Sequence, residues 1–520
     1  MKARLYYILK ITLPLLLIGA TSCLEKFPES AIPQEKAMQT FNDADQQLTG
    51  IYASLKSGAL WSGYLTLLPD IQSDLVYAVE GYSNTYGQIW QWDILSTNSE
   101  IESVYGALYN VISNCNFFLE RVGNIIAEET DDENLEVLDV YVGEVHFIRA
   151  LCYAELIKCF CKAYDPQTAD NEPGVVLRTK YSEKEPLRRA SLKASYELVL
   201  DDLSEAEKRL LDETDSYSYV YISKGAAEAL HARVALYMQD WQSAVDYAST
   251  LIDGKSDSYE LSSVNQTTAG SDGQTVSHFY YLWSNDIGFE DIWHINFTPT
   301  SYGGSLGSVF LNFTRDYYYF YPDYVPAQWV LNSYASGDGR YEAYFAGSDS
   351  GITIGYANGL NWPLLVKYYG NRSFISSYNL YHINQPKVFR LAEQYLIRAE
   401  AYCRLGQYQK AGTDLSTLRS ARYTTGGALS VNADNWLKTI ADERMRELYM
   451  EGFRLHDLKR WGKEYADKNG GYSFQRTPQS CSLEEGSSLK VTCDDPLFVW
   501  PIPQHELESP GSEIQPNESN

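Results

Sequence analysis

Between Ser99 and about Gly254, apolar positions recur every three or four residues, the spacing of a buried helical face. The segments IESVYGALYNVISNCNFFLERV and LEVLDVYVGEVHFIRALCYAELIKCF predict an antiparallel helix pair. The loop DPQTADNEPG, with Pro166 and Pro173, ends it. LKASYELVLDDLSEAEKRLL and SKGAAEALHARVALYMQDWQSAVDYASTLI predict a second pair, and KVFRLAEQYLIRAEAYCRLGQYQKAGTDLSTLRSAR belongs to a third set. The expected fold is mainly α, with a loop-rich irregular part carrying short strands.

Ala232–Ala244 and Ala399–Ala411 are alike. Each has a helix, a tight polar turn, an aromatic (Trp241, Tyr408) and an alanine three residues later. That is the tetratricopeptide style of helical hairpin. The two copies are far apart in sequence, so the reading is a scaffold rather than a regular solenoid.

The stretch 441–463, ADERMRELYMEGFRLHDLKRWGK, predicts one helix with an apolar stripe of Ala441, Met445, Leu448, Leu455 and Leu458. Gly452 falls in that stripe, where it weakens a helix but lets another come close. Glu443, Arg446, Glu447, Glu451, Arg454, Asp457 and Arg460 run beside it. Isolated pairs three or four apart give only ~0.2–0.5 kcal/mol each. So many together imply a packed, desolvated charge ladder. Glu447 and Glu451 do not suit glycoside hydrolysis, which needs carboxyls on opposite sides of the scissile bond. Neighbouring arginines would lower their pKa values rather than raise them.

From about Tyr259 to Pro386 the composition changes to Gly, Ser, Asn and Tyr. An earlier aromatic loop spans 77–92. A sugar ring lays its C–H face on Tyr or Trp while its hydroxyls bond to Asn, Gln, Asp or Arg. Candidate ligand residues are Tyr82, Asn84, Tyr86 and Trp90 in the early loop, and Trp283, Tyr302, Arg315 and Tyr318 in the central part. Loops on a rigid scaffold are where binding residues concentrate. The subdivision expected is helical scaffold over about 40–258, aromatic part over 259–386, scaffold again over 387–465, and an irregular segment over 466–520.

The N-terminus has Lys2, Arg4 and Lys10 before a short apolar run, Ile11 to Ala20, and then Cys23. This is the pattern of a lipoprotein signal over 1–22, with Cys23 lipidated. The net charge of −26 argues against nucleic acid and anionic membrane surfaces. The 43 tyrosines exceed what a core needs and point to contact surfaces. Cys115, Cys152, Cys159, Cys161 and Cys403 read as small buried hydrophobes. Cys481 and Cys493 flank a polar loop and could pair in an oxidising compartment. No HxxxH or CxxC spacing appears, so no cofactor is expected, and a calcium ion among the acidic loops has no ligand pattern to support it.

ERMRELYMEGFRLHDLKRWG resembles the SusD/RagB family of Bacteroidetes surface lipoproteins, whose run is ER-x-x-EL-x-x-EG-x-R-x-x-DL-x-RWG. Glu443, Arg444, Glu447, Leu448, Glu451, Gly452, Arg454, Asp457, Leu458, Arg460, Trp461 and Gly462 match it. Cys23, FIRALCYAELIKCF, KGAAEALHARVALYMQDW, LAEQYLIRAEAY and VWPIPQHEL match in order, so the resemblance spans nearly the whole chain. It implies a single SusD-like domain over 23–520 and a non-enzymatic protein on the outer face of the outer membrane. Such a protein passes oligosaccharides to a SusC-like TonB-dependent transporter. Some relatives bind peptides instead, and a surface glycoside hydrolase is a third reading.

Overall fold

In a computed structural model the described residues are 37–80, 83–181, 186–212, 220–270, 273–314, 319–346, 362–477 and 488–520. Helix α1 (Phe41–Leu55) opens with a capping box, in which Thr40 accepts from the Asp43 N–H and Asp43 accepts from the Thr40 N–H. A short turn leads to α2 (Tyr64–Gln72), strand β1 (Val76–Ala78) and the one-turn helix α3 (Gly87–Trp90). The first expected pair follows as α4 (Ser99–Glu128) and α5 (Asp132–Phe160). Asn98 caps α4 by accepting from Ile101, and Asp131 caps α5 by accepting from Glu133 and Asn134. The stripe Ile101, Val104, Leu108, Ile112, Cys115, Phe118, Val122 and Ile125 is buried, as its spacing predicts.

The second pair is α6 (Leu192–Glu207) with α7 (Lys224–Tyr237), and α7 turns tightly into α8 (Trp241–Ser249). In the central part, the short helices α9 (His278–Ser284) and α10 (Arg372–Tyr378) accompany strands β2 (Asp291–His294) and β3 (Tyr324–Pro326). Strand β4 (Lys387–Arg390) then leads into α11 (Leu391–Arg404) and α12 (Tyr408–Arg422). Hairpins α7–α8 and α11–α12 pack on each other, although about 150 residues separate them. Their turns are alike in backbone too: Gln239 and Gly406, two residues before the aromatic in each, have φ of 62° and 72°. Arg404 covers the Trp241 ring at 5.3 Å, joining one hairpin to the other.

The stretch expected as one helix forms two, α13 (Trp436–Glu447) and α14 (Arg454–Lys468), and α14 is itself kinked at Gly462, where φ is 50° and ψ −130°. Met450 and Gly452, with φ of 60° and 83°, lie in the break between them. The helix cannot continue because Asp70 of α2 takes the N-terminal N–H groups of α14, accepting from Gly452 at 3.0 Å and Arg454 at 2.9 Å. The close approach expected at Gly452 is present, since a Cβ there would sit 3.0 Å from the Thr66 carbonyl. Glu451 therefore stands in the break and not on a helix with Glu447.

The charge ladder is buried, but its pairs run mostly between elements. Glu447 accepts from Arg340, Arg390 and Arg422; Glu443 accepts from Arg340; Glu451 from Lys367 and Arg390. Arg454 pairs with Asp74, and Arg460 with Glu400. Burial opposes ionisation of Glu447 and Glu451, yet Arg422, Arg390 and Arg340 at Glu447, and Arg390 with Lys367 at Glu451, override it and hold both carboxyls below their ordinary range.

Every sheet among the described residues is a two-stranded antiparallel ladder. Two hydrophobic clusters result. One runs through the scaffold helices, and the other, rich in Tyr, Trp and Phe, lies under the loop-rich part. Cys115, Cys152, Cys159, Cys161 and Cys403 are buried free thiols, as expected. Cys481 lies outside the described residues, as do Cys23 and the signal segment.

Candidate ligand-binding groove

The ladder of β1 with β3 brings the two aromatic regions together, pairing Tyr77 with Val325 and Ala78 with Tyr324. Asp323 extends the join. Its carboxylate accepts from the Asn84 amide at 2.9 Å and from Asn312 at 3.1 Å, while Asn84 accepts from the Glu80 N–H at 2.6 Å. Tyr321 donates to Glu80 at 2.7 Å and Tyr324 donates to the Thr85 carbonyl. The early loop is thus held from several sides.

A second join is made by glycines. A Cβ on Gly303 would fall 1.8 Å from the Lys56 carbonyl oxygen, and one on Gly304 would fall 2.7 Å from that of Ser62. Only a missing side chain permits this contact between the α1–α2 turn and the central segment. Ser62 sits in the seam, donating to the Lys56 carbonyl and accepting from the Gly304 N–H at 2.9 Å. Lys56 reaches across to the Ser301 hydroxyl at 3.0 Å.

Between these joins lies a groove of about 880 Å³. Its walls come from the α1–α2 turn, Tyr86, the first turns of α4, Gly304 to Ser308, and Pro503 to Glu506. The Tyr64 and Tyr86 rings meet edge to face with centroids 5.6 Å apart. Tyr86 has φ 64°, a left-handed backbone uncommon for a residue other than glycine. Such strain persists only where the surroundings fix it, and here it turns the ring toward Tyr64. Ser57, Ser99, Ser103, Ser305 and Ser308 bring hydroxyls, and Glu102, His505 and Glu506 bring titratable groups. Burial pushes the Glu506 carboxyl above its usual range; His505 opposes this and Glu102 adds to it. Tyr105 and Glu506 also border a smaller cavity of about 310 Å³ further along α4.

The expected site residues separate into three groups. Tyr86 lines the groove, and Tyr302, 42% exposed, is not among its walls but precedes Gly303 of the glycine seam. Asn84, Trp90 and Trp283 are buried. Asn84 knots the early loop, and Trp90 donates to the Val76 carbonyl at 3.2 Å with Arg476 over its ring at 4.6 Å. Trp283 carries the Lys367 ammonium 4.0 Å from its ring centre, beside the charge ladder. Tyr82, Arg315 and Tyr318 lie outside the described residues. Sequence reasoning passed over Tyr64, Ser57 and the His505–Glu506 pair. SGALWSGY, at 57–64, has the same Gly, Ser and aromatic composition that marked the other loops, and was the available signal. Among the described residues no group of three or more His, Cys, Asp or Glu is placed to hold a metal ion. No described helix is long and apolar enough to cross a membrane.

Two family models match the chain in succession. Residues 24–236 match a family described as starch-binding associating with outer membrane, and residues 308–517 match the SusD family. A SusD-like protein of Formosa agariphila is 25% identical over 98% of both chains. A SusD superfamily protein from Bacteroides thetaiotaomicron superposes with a TM-score of 0.73 at 23% identity, covering 92% of this chain and 99% of that one. A laminarin-binding SusD-like protein superposes with a TM-score of 0.67 at 20% identity, covering 93% and 100%. These structures share its fold. With 24–236 and 308–517 matched by SusD-type models and the ER-x-x-EL-x-x-EG run buried at 443–452, the chain is a SusD-like protein.

Proposed function

We propose that this protein captures oligosaccharides at the cell surface and delivers them to a SusC-like TonB-dependent transporter for import. One observation carries the reading. The groove sets the Tyr64 and Tyr86 rings among serine hydroxyls, the pairing of apolar faces and hydrogen-bonding groups that a sugar ring needs. The same fold in a laminarin-binding protein supports it. So does the family description of association with the outer membrane. A lipid on Cys23 would hold the protein there, since several acyl chains bind a bilayer durably.

Purified mature protein applied to a neutral and acidic glycan array, beside a peptide library, tests the ligand class. Retention of glycans that Tyr86→Ala abolishes is the expected result. Binding of peptides alone would replace the glycan reading with peptide or glycopeptide capture. Co-purification with a TonB-dependent transporter from the native membrane tests the partner.

A surface glycoside hydrolase is the third reading, after peptide capture, and one feature favours it. Glu102 and Glu506 both line the groove, and the Glu506 carboxyl is raised, as a general acid requires. Reducing ends released on long incubation, and lost in Glu506→Gln, would establish catalysis.

A further inference from the structure

The segment 369–382, YGNRSFISSYNLYH, was not among the expected ligand residues. Setting histidine aside, Arg372 is its one charged residue, in a chain that is 21% charged with a net charge of −26. Three tyrosines stand out from it: Tyr378 is 58% exposed, Tyr381 48% and Tyr369 36%. Ser373, Ser376, Ser377 and Asn379 are exposed among them. Burial pushes the His382 imidazole below its usual value, so this ring is neutral at pH 7 as well.

The surface is held in shape from beneath. Phe374 points α10 into the core. Asn371 caps α10 by accepting from Ser373, and its amide donates to the Asn285 carbonyl and to Asp286 at 2.9 and 3.0 Å. The two ends of the segment are tied by bonds from the His382 N–H to the Tyr369 carbonyl and from the Asn371 N–H to the Ile383 carbonyl. Asn379 and His382 keep left-handed backbones, with φ of 55° and 62°. A backbone already fixed this way loses little freedom when a ligand settles on the rings it carries.

The segment also adjoins the groove. Ser305 lines the groove, and its hydroxyl donates to the His382 carbonyl at 2.8 Å. A Cβ on Gly307 would fall 2.1 Å from the Tyr368 carbonyl oxygen and 3.1 Å from the His382 Cβ, so the two walls are in contact. The Tyr369 ring in turn lies 5.9 Å from the His382 ring and 6.5 Å from Phe320. Uncharged rings interleaved with hydroxyls and an amide fit a neutral polyhydroxylated chain better than a protein face, which would draw on charged rim residues.

We propose that 369–382 is a second glycan-binding platform, on which Tyr369, Tyr378 and Tyr381 hold the far part of a neutral polysaccharide chain whose near part occupies the groove. This rests on the glycan reading above. Two contacts on one chain make the second intramolecular, so affinity rises with chain length.

The test compares wild-type protein, Tyr378→Ala/Tyr381→Ala and Tyr378→Phe/Tyr381→Phe. Probes are laminarin, starch, xylan and mannan, each as polymer and as short oligosaccharides. The wild type is expected to prefer polymer to short chains. The alanine pair is expected to lose that preference, with polymer affinity falling roughly tenfold and short-chain affinity unchanged. The phenylalanine pair, which keeps the rings, should retain it. Unchanged polymer affinity in the alanine pair overturns the platform and leaves the groove reading intact. An equal loss for short chains also overturns it, because the tyrosines would then act through the groove. A wild type that binds none of the probes counts against the groove reading itself and takes the platform with it.

Discussion

Arg390 Nη1 stands 2.7 Å from Glu447 Oε1, and both side chains are buried. The pair draws together a β-strand residue and a helix residue that are 57 positions apart. Arg340 and Arg422 bind the same carboxylate. Removing Glu447 therefore leaves three buried guanidinium groups short of a counter-charge. Glu447→Ala is expected to cost about 3–5 kcal/mol or to prevent folding, read from the urea midpoint. Lys438→Ala, which breaks an exposed pair with Asp442, should change the midpoint little.

Acid should weaken the fold through the same ladder. Burial opposes ionisation of Glu443, but Arg340, then Arg446, holds its carboxyl down to about 2. Arg460 does the same for Glu400, also down to about 2. Both start from 4.5 in the unfolded chain, so their contribution is present above about pH 4.5 and is lost as pH falls toward 2. Asp70 has the opposite sign. Burial pushes it from 3.8 up to about 7 against the Gly452 and Arg454 N–H groups, so its contribution is lost as pH rises through that window. Urea midpoints should climb from pH 3 to about 5 and then decline toward 8. In Asp70→Asn the decline above pH 5 should shrink. An unaltered decline would remove Asp70 as its source.

The glycine seam gives a paired prediction. Gly303→Ala forces a Cβ to within 1.8 Å of the Lys56 carbonyl oxygen. It should cost about 1–3 kcal/mol and abolish ligand retention by opening the groove. Gly50, in the exposed face of α1, has nothing within 4 Å of an added Cβ. Gly50→Ala should raise stability by about 0.5–1 kcal/mol with binding unchanged. Thermal unfolding and affinity electrophoresis read both.

Tyr86 and Trp90 should part company on mutation. Tyr86→Gly deletes a groove ring that also packs on both clusters, but it relieves a left-handed backbone, so stability should fall by less than in Trp90→Ala while glycan binding is lost. Trp90→Ala empties a buried site beneath Arg476 and should cost about 3–5 kcal/mol. Calorimetry of both variants distinguishes a ring that meets ligand from a ring that supports the loop.

The helices and both tetratricopeptide-style hairpins were legible because each is written in local spacing. A buried face needs apolar residues every three or four positions, and a turn needs a residue that tolerates positive φ. The 441–463 run was legible as a desolvated charge ladder for a similar reason, since so many alternating charges beside an apolar stripe have few other uses. Its break was not. Whether Gly452 continues or ends a helix depends on Asp70, 382 residues away, reaching the α14 N-terminus.

The sequence by itself determined the helical scaffold, the family and the chemistry of the loops, because periodicity, motif and composition are properties of the chain. Only the tertiary structure decided which aromatic rings face outward. Trp90 and Tyr86 are four residues apart in one loop, yet one is buried and the other lines the groove. Tyr and Trp serve equally as core or contact surface, so their type carries no direction. Direction comes from the β1–β3 ladder, the Asp323 knot and the glycine seam, all contacts between segments more than 200 residues apart. The sequence contains both partners of each contact but nothing local that marks them as partners.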